Sequence, residues 1–179
     1  NRNMPGDDLF PEHVYQSVEL KYGPNITDWP AMAALPENLL LRVACVITDP
    51  VTTTDELIPS GETSSLRSNP LKLAEFALSR KDPEYVGRAK DVFAFEKKRE
   101  ADPADASVLQ AVRKALAPLE KSDRALFDAI CGGKDLAGTG IGSTIFAMKP
   151  GDGSAREQAA SSQKVLGGWA NLALEYATK

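Results

Sequence analysis

Apolar positions in this chain fall into two kinds of run. Leu39 to Ile47 (Leu-Leu-Leu-Arg-Val-Ala-Cys-Val-Ile) is nearly continuous, the pattern of a strand covered on both faces. Thr144 to Met148 is a shorter run suited to a buried strand. Trp169 to Tyr176 is the last strand candidate, although its Ala and Leu also suit a helix. Between these runs the apolar residues recur at helical spacing. Asn69-Pro70 opens one helix, with Asn as N-cap and Pro in the first turn, and Leu71 to Leu78 carries its apolar face. Asp82-Pro83 opens a second by the same device, with Tyr85 to Phe93 on its face and a solvated charged tail over Phe95–Ala101. Ala106–Leu119 and a segment capped by Ser122 and stopped by Gly132-Gly133 read as two further helices. This pair predicts a peripheral helical insertion at about 101–131. Strand–helix alternation predicts an α/β domain with some parallel pairing.

The polar stretches are as informative. Residues 1–37, rich in Pro, Asp and Asn, read as an extended lead-in packing on the body, with room for a short helix between Pro11 and Tyr22. The domain proper is expected over 38–179. Thr48–Ser68 is a hydroxyl-rich loop too long for a mere connection, carrying Asp55 and Arg67. Lys134–Gly142 reads as a flexible glycine-rich loop. Its glycines precede a strand instead of opening a helix, so the order is wrong for a dinucleotide fingerprint.

The segment Ser143–Gly167 reads as strand, glycine turn and helix. Gly151 and Gly153 mark the turn. Ser154 is the expected N-cap of a helix over Ala155–Leu166, with Glu157 completing a capping box. Such a helix start favours an anion, and Arg156 adds a fork-shaped cation. Arg67 stands just before the helix that Asn69 opens. Two arginines at two helix starts suit a ligand with two or more carboxylates.

Composition narrows the field. A formal net charge of −4 argues against nucleic acid as a partner. No apolar run approaches the roughly eighteen residues of a membrane span, and the first residues lack the apolar centre of a signal peptide. The first residue is not Met, and the last follows directly on an apolar pattern, which leads us to expect a piece of a longer protein. Cys45 and Cys131 have neither metal nor disulfide spacing, so a reducing cytoplasm is the default and no metal site is expected. His13, the single histidine, lies in the lead-in, away from the polar segments.

Three segments together resemble the aconitase superfamily. Gly151-Asp152-Gly153-Ser154-Ala155-Arg156-Glu157-Gln158-Ala159-Ala160 is similar to that family's Gly-x-Gly-Ser-Ser-Arg-Glu-His-Ala-Ala, with Leu166-Gly167 matching its downstream Leu-Gly. Thr53-Thr54-Asp55-Glu56-Leu57-Ile58-Pro59-Ser60-Gly61 resembles Thr-Thr-Asp-His-Ile-x-x-Ala-Gly, and Arg67-Ser68-Asn69 the Arg-Ser/Gly-Asn segment that follows. All three occur in family order across about residues 40 to 176. The resemblance implies the C-terminal swivelling β/β/α domain of a lyase, a hydratase (hydro-lyase) of tricarboxylic acid metabolism acting on a hydroxy di- or tricarboxylic acid. It implies that Ser154 is the base and Asp55 the partner of the leaving hydroxyl. Arg67 and Arg156 would hold substrate carboxylates, with Thr54 and Ala155 beside the substrate. It also implies an iron–sulfur cofactor, a [4Fe–4S] cluster carried by the parent protein's other domains, which would be this domain's partners, and none within this chain. Ala155, Glu56 and Gln158 depart from the family's Ser, His and His, which points to a divergent, bacterial-type branch. The alternatives are a non-catalytic carboxylate-binding homologue and an interaction module.

Overall fold

The computed structural model describes residues 19 and 21–177. His13, and most of the short helix expected between Pro11 and Tyr22, lie outside the described residues. Strand β1 (Asn38–Ile47) is followed by β2 (Thr52–Thr53), helix α1 (Thr54–Leu57), a 3-10 turn at Ser64–Leu66 and α2 (Pro70–Ala74). Helices α3 (Tyr85–Ala101), α4 (Ala106–Ala115), α5 (Ala117–Ser122) and α6 (Arg124–Cys131) come next. Then follow β3 (Thr139–Ala147), β4 (Pro150–Asp152), α7 (Arg156–Val165) and β5 (Gly168–Ala173). The strands form a parallel sheet in the order β1-β3-β5 and a short parallel pair, β2-β4. The chain is therefore mixed α/β with a small parallel sheet and several helices.

Caps explain most helix starts. Asn69 Oδ1 accepts the Lys72 N–H at 3.0 Å and Pro70 fills the first turn of α2, as the sequence predicts. Asp123, not Ser122, caps α6, accepting the Leu126 N–H at 3.0 Å. The helix expected over Ala106–Leu119 is broken at Leu116, just ahead of Pro118, which has no N–H to continue it. The Thr48–Ser68 stretch is also not plain loop: it holds β2, α1 and the 3-10 turn, with Ile58 and Thr63 buried.

Two hydrophobic clusters form the interior. The larger joins β1 and β3 to the helices through Ile47, Ile145, Leu73, Leu78, Tyr85 and Leu166. The smaller gathers Val92, Val108, Val112, Cys131, Leu136 and Ile141, so the α4–α6 segment packs on the second half of α3 with a core of its own. Strand β1 departs from expectation. It lies at the sheet edge with β3 in the centre, and Val43 and Val46 are 48% and 61% exposed. Val46, Phe146 and Leu172 sit in register across the three strands, and Leu172 is itself half-exposed. An apolar row on one face of the sheet is thus open among the described residues.

The charged tail of α3 is solvated at Lys97, Lys98 and Glu100, but not at two of its charges. Glu96 and Arg99 are 1% and 8% exposed. Glu96 accepts from Arg99 Nε and Nη2 at 2.8 Å each, and from the Ile141 N–H at 2.7 Å. Arg99 Nη1 donates to the Leu136 carbonyl at 3.2 Å. Helix periodicity alone cannot distinguish such a pair from a solvated one, because the partner strand lies 45 residues away.

The same network corrects the glycine-rich loop. Gly140 and Gly142 belong to β3. A Cβ at Gly142 would lie 1.6 Å from Trp169 Cδ1, and one at Gly140 would lie 2.5 Å from Pro36 Cγ. These glycines let a ring approach the strand face. Trp169 Nε1 then donates to the Ile141 carbonyl at 3.2 Å.

Candidate functional site

The two segments singled out by their motifs, Thr53–Asp55 and Gly151–Ser154, lie far apart in the chain and side by side in the fold. The β2–β4 ladder sets Thr52 against Pro150 and Thr53 against Asp152. Beyond the ladder, buried Thr54 packs on Gly153. A Cβ on Gly153 would fall 2.2 Å from Thr54 Oγ1, and the residue's φ of +135° also disfavours any side chain.

Thr53 and Glu56 form the capping box of α1. Thr53 Oγ1 accepts the Glu56 N–H at 3.2 Å and donates to Glu56 Oε2 at 2.9 Å, while the Thr53 N–H donates to the same oxygen at 2.8 Å. These bonds, led by the backbone N–H, hold the Glu56 carboxyl below its ordinary value against a smaller opposing effect of burial. The expected box between Ser154 and Glu157 does not form. Helix α7 begins at Arg156 with Ala155 in the cap position and no side-chain cap. Ser154 is exposed in the turn, and its hydroxyl makes no hydrogen bond among the described residues. The helix starts one residue later than expected, so Ala155, which has no acceptor, occupies the cap position. The glycine turn itself is closed by Arg156, whose Nε donates to the carbonyls of Gly151 at 2.9 Å and Gly153 at 3.1 Å.

The two arginines do not share a cavity. Arg156 lines a cleft of about 240 Å³ with Gly151, Gln163, Asn171 and Tyr176, and its Nη2 is buried without a partner. Arg67 is exposed beside Trp29, Glu157, Gln158 and Ser161 in a groove of about 50 Å³. These two linings fall on opposite faces of α7, as 3.6-residue spacing requires. Among the described residues neither arginine has a carboxylate partner within ion-pair distance, although Arg80, Arg88, Arg99 and Arg124 all do.

Asp55 is half-exposed and is clasped by Arg80, whose other amino group reaches Glu62 at 2.5 Å. The adjacent Lys81 reaches Asp49 at 2.8 Å and Glu56 at 3.3 Å. Sequence reading missed Arg80. The available signal was an Arg-Lys pair directly after a helix, with no acid at helical spacing on that helix to absorb it.

Thr54 and Gly153 thus meet at one end of the β2–β4 pair, with Asp55 and Ser154 next to them in the chain, while Arg67, just ahead of α2, lies in a groove against one face of α7 and Arg156 lines the cleft on the other. Cys45 and Cys131 are buried in separate clusters, and burial pushes the Cys45 thiol up to about 12, with Asp82 adding to the effect. The described residues contain no group of three or more potential metal ligands. No described helix is long and apolar enough to cross a membrane. Comparison with protein-family models, curated proteins and solved structures finds no match to this chain.

Proposed function

We propose that this chain is the swivel domain of an aconitase-like hydro-lyase acting on a hydroxy di- or tricarboxylic acid, expected in the cytoplasm. The observation that carries this reading is the β2–β4 ladder. It brings the Thr-Thr-Asp and Gly-Asp-Gly-Ser segments together, as a shared site requires, although almost a hundred residues separate them. In this reading Ser154 acts as the base toward substrate carbon in its ionised, alkoxide form, which a helix start and a neighbouring arginine favour, and Asp55 meets the substrate hydroxyl. Thr54 and Ala155 line the approach. Arg67, exposed and unpaired among the described residues, is the principal carboxylate contact. Arg156 holds the serine turn and leaves one amino group for a second contact. The cluster chemistry belongs to other domains of a longer polypeptide, so the isolated chain is expected to bind without turning over.

Titration calorimetry with citrate, isocitrate and methylcitrate tests the proposal. Millimolar binding that weakens in Arg67→Gln is expected. Absence of heat for all three acids at millimolar concentration sinks it. A second reading, an interaction module, has the open Val46–Phe146–Leu172 row in its favour. It predicts concentration-dependent self-association that Val46→Glu abolishes, read by sedimentation, without any carboxylate binding.

A further inference from the structure

We propose that Arg80 is the positioning residue of the candidate site, fixing the Asp55 carboxylate in the one orientation that meets a ligand hydroxyl; this rests on the reading given under Proposed function. Asp55 stands in the first turn of a four-residue helix with its side chain half-exposed. An aspartate so placed, alone, samples several rotamers. Arg80 removes that freedom. Its planar fork spans Asp55 and Glu62, which lie near the two ends of the stretch between Thr54 and Thr63.

The fork is itself delivered by a rigid turn. Leu78 is fully buried and is the single non-glycine residue with positive φ, +56°, among the described residues. A leucine adopts that conformation only against a steric cost. Here the Leu78 N–H donates to the Leu57 carbonyl at 2.8 Å, at the end of α1. The Leu78 carbonyl accepts from Lys81 at 2.9 Å and Asp82 at 2.7 Å. The turn is thereby bonded to the helix that carries Asp55. It presents Arg80 to Asp55 and Lys81 to Glu56, so consecutive cations bracket α1. Reactive groups work only when their orientation is fixed beforehand, and this arrangement supplies that for Asp55.

An ordinary exposed ion pair would affect stability slightly and ligand choice not at all. Two ligands separate the cases: citrate, and propane-1,2,3-tricarboxylate, which lacks only the hydroxyl. The wild-type protein should prefer citrate by on the order of tenfold, the worth of a hydrogen bond to a charged group. Arg80→Gln should erase that preference by weakening citrate alone. Arg80→Lys, which keeps the charge but loses the fork, should behave like Arg80→Gln. In an Asp55→Asn background Arg80→Gln should change neither affinity. Equal weakening of both ligands, a preference that survives Arg80→Gln, or a wild-type-like Arg80→Lys overturns the role of Arg80 and leaves the proposed function standing. Failure of the wild type to bind either ligand overturns the proposed function and this role with it.

Discussion

Removing the Glu96 carboxylate should be among the most damaging single changes in the described part of the chain. The side chain is 1% exposed and accepts three hydrogen bonds, two from a buried guanidinium and one from the backbone of the central strand. In Glu96→Ala the Arg99 charge keeps only the Leu136 carbonyl as partner, at 3.2 Å, and the Ile141 N–H has none. Breaking one side of a buried pair in this way costs about 3–5 kcal/mol, with an orphaned backbone donor adding about 1–3 kcal/mol if water cannot reach it. The exposed Arg80–Asp55 pair, by contrast, is screened by solvent and contributes little. The ordering of the two sites is thus set by burial, not by the number of charges.

The assay is urea unfolding followed by circular dichroism, with the midpoint and slope fitted separately. Glu96→Ala should lower the midpoint sharply. The double variant Glu96→Met/Arg99→Leu should be less destabilised than Glu96→Ala, because it removes the uncompensated charge with its partner. A loss below about 1 kcal/mol for Glu96→Ala, or a double variant worse than the single one, would refute the argument that a dry ion pair locks α3 to β3.

Three further outcomes follow from the capping box of α1 and from the Gly142–Trp169 contact. Thr53→Ala removes the α1 cap and should cost about 1 kcal/mol in thermal or urea unfolding. Glu56→Gln should lose stability near neutral pH, with the gap to wild type closing as pH falls below Glu56's ordinary 4.5 and through its lower folded value, because a depressed carboxyl stabilises only while ionised. Gly142→Ala places a methyl against the Trp169 ring in the central strand. It should cost about 1–3 kcal/mol and alter tryptophan fluorescence, while a wild-type melt and spectrum would show that the ring is free to move aside.

Local chemistry made much of this fold readable. Asn69-Pro70 announces α2 because side chain and ring act within one turn. Long-range packing was not readable. The stretch Phe95–Ala101 looks like a solvated tail because Glu96 finds Ile141 only once β3 is in place. Gly140 and Gly142 look like a flexible loop because their ring partners, Pro36 and Trp169, come from distant segments. The Leu39–Ile47 run is as apolar as a doubly covered strand, yet its place in the sheet order leaves Val46 open. Within the site, Thr54, Asp55 and Ser154 could be picked out by motif. Their juxtaposition depends on β2 and β4, of two and three residues, too short to leave a pattern.

The misplaced capping box bears most directly on chemistry. Thr53-x-x-Glu56 and Ser154-x-x-Glu157 have the same spacing, and only the first forms the box. A hydroxyl that caps a helix accepts a backbone N–H with its oxygen, which holds that oxygen against the helix start. Arg156 closes the glycine turn through Gly151 and Gly153, and with Ala155 in the cap position the Ser154 oxygen accepts no N–H among the described residues. The serine remains exposed at a helix start, beside the segment that carries Asp55. Bonded in this way, the turn spends its arginine on shape and keeps its serine uncommitted. That division of labour supports a chemical role for Ser154 better than the cap the sequence suggests.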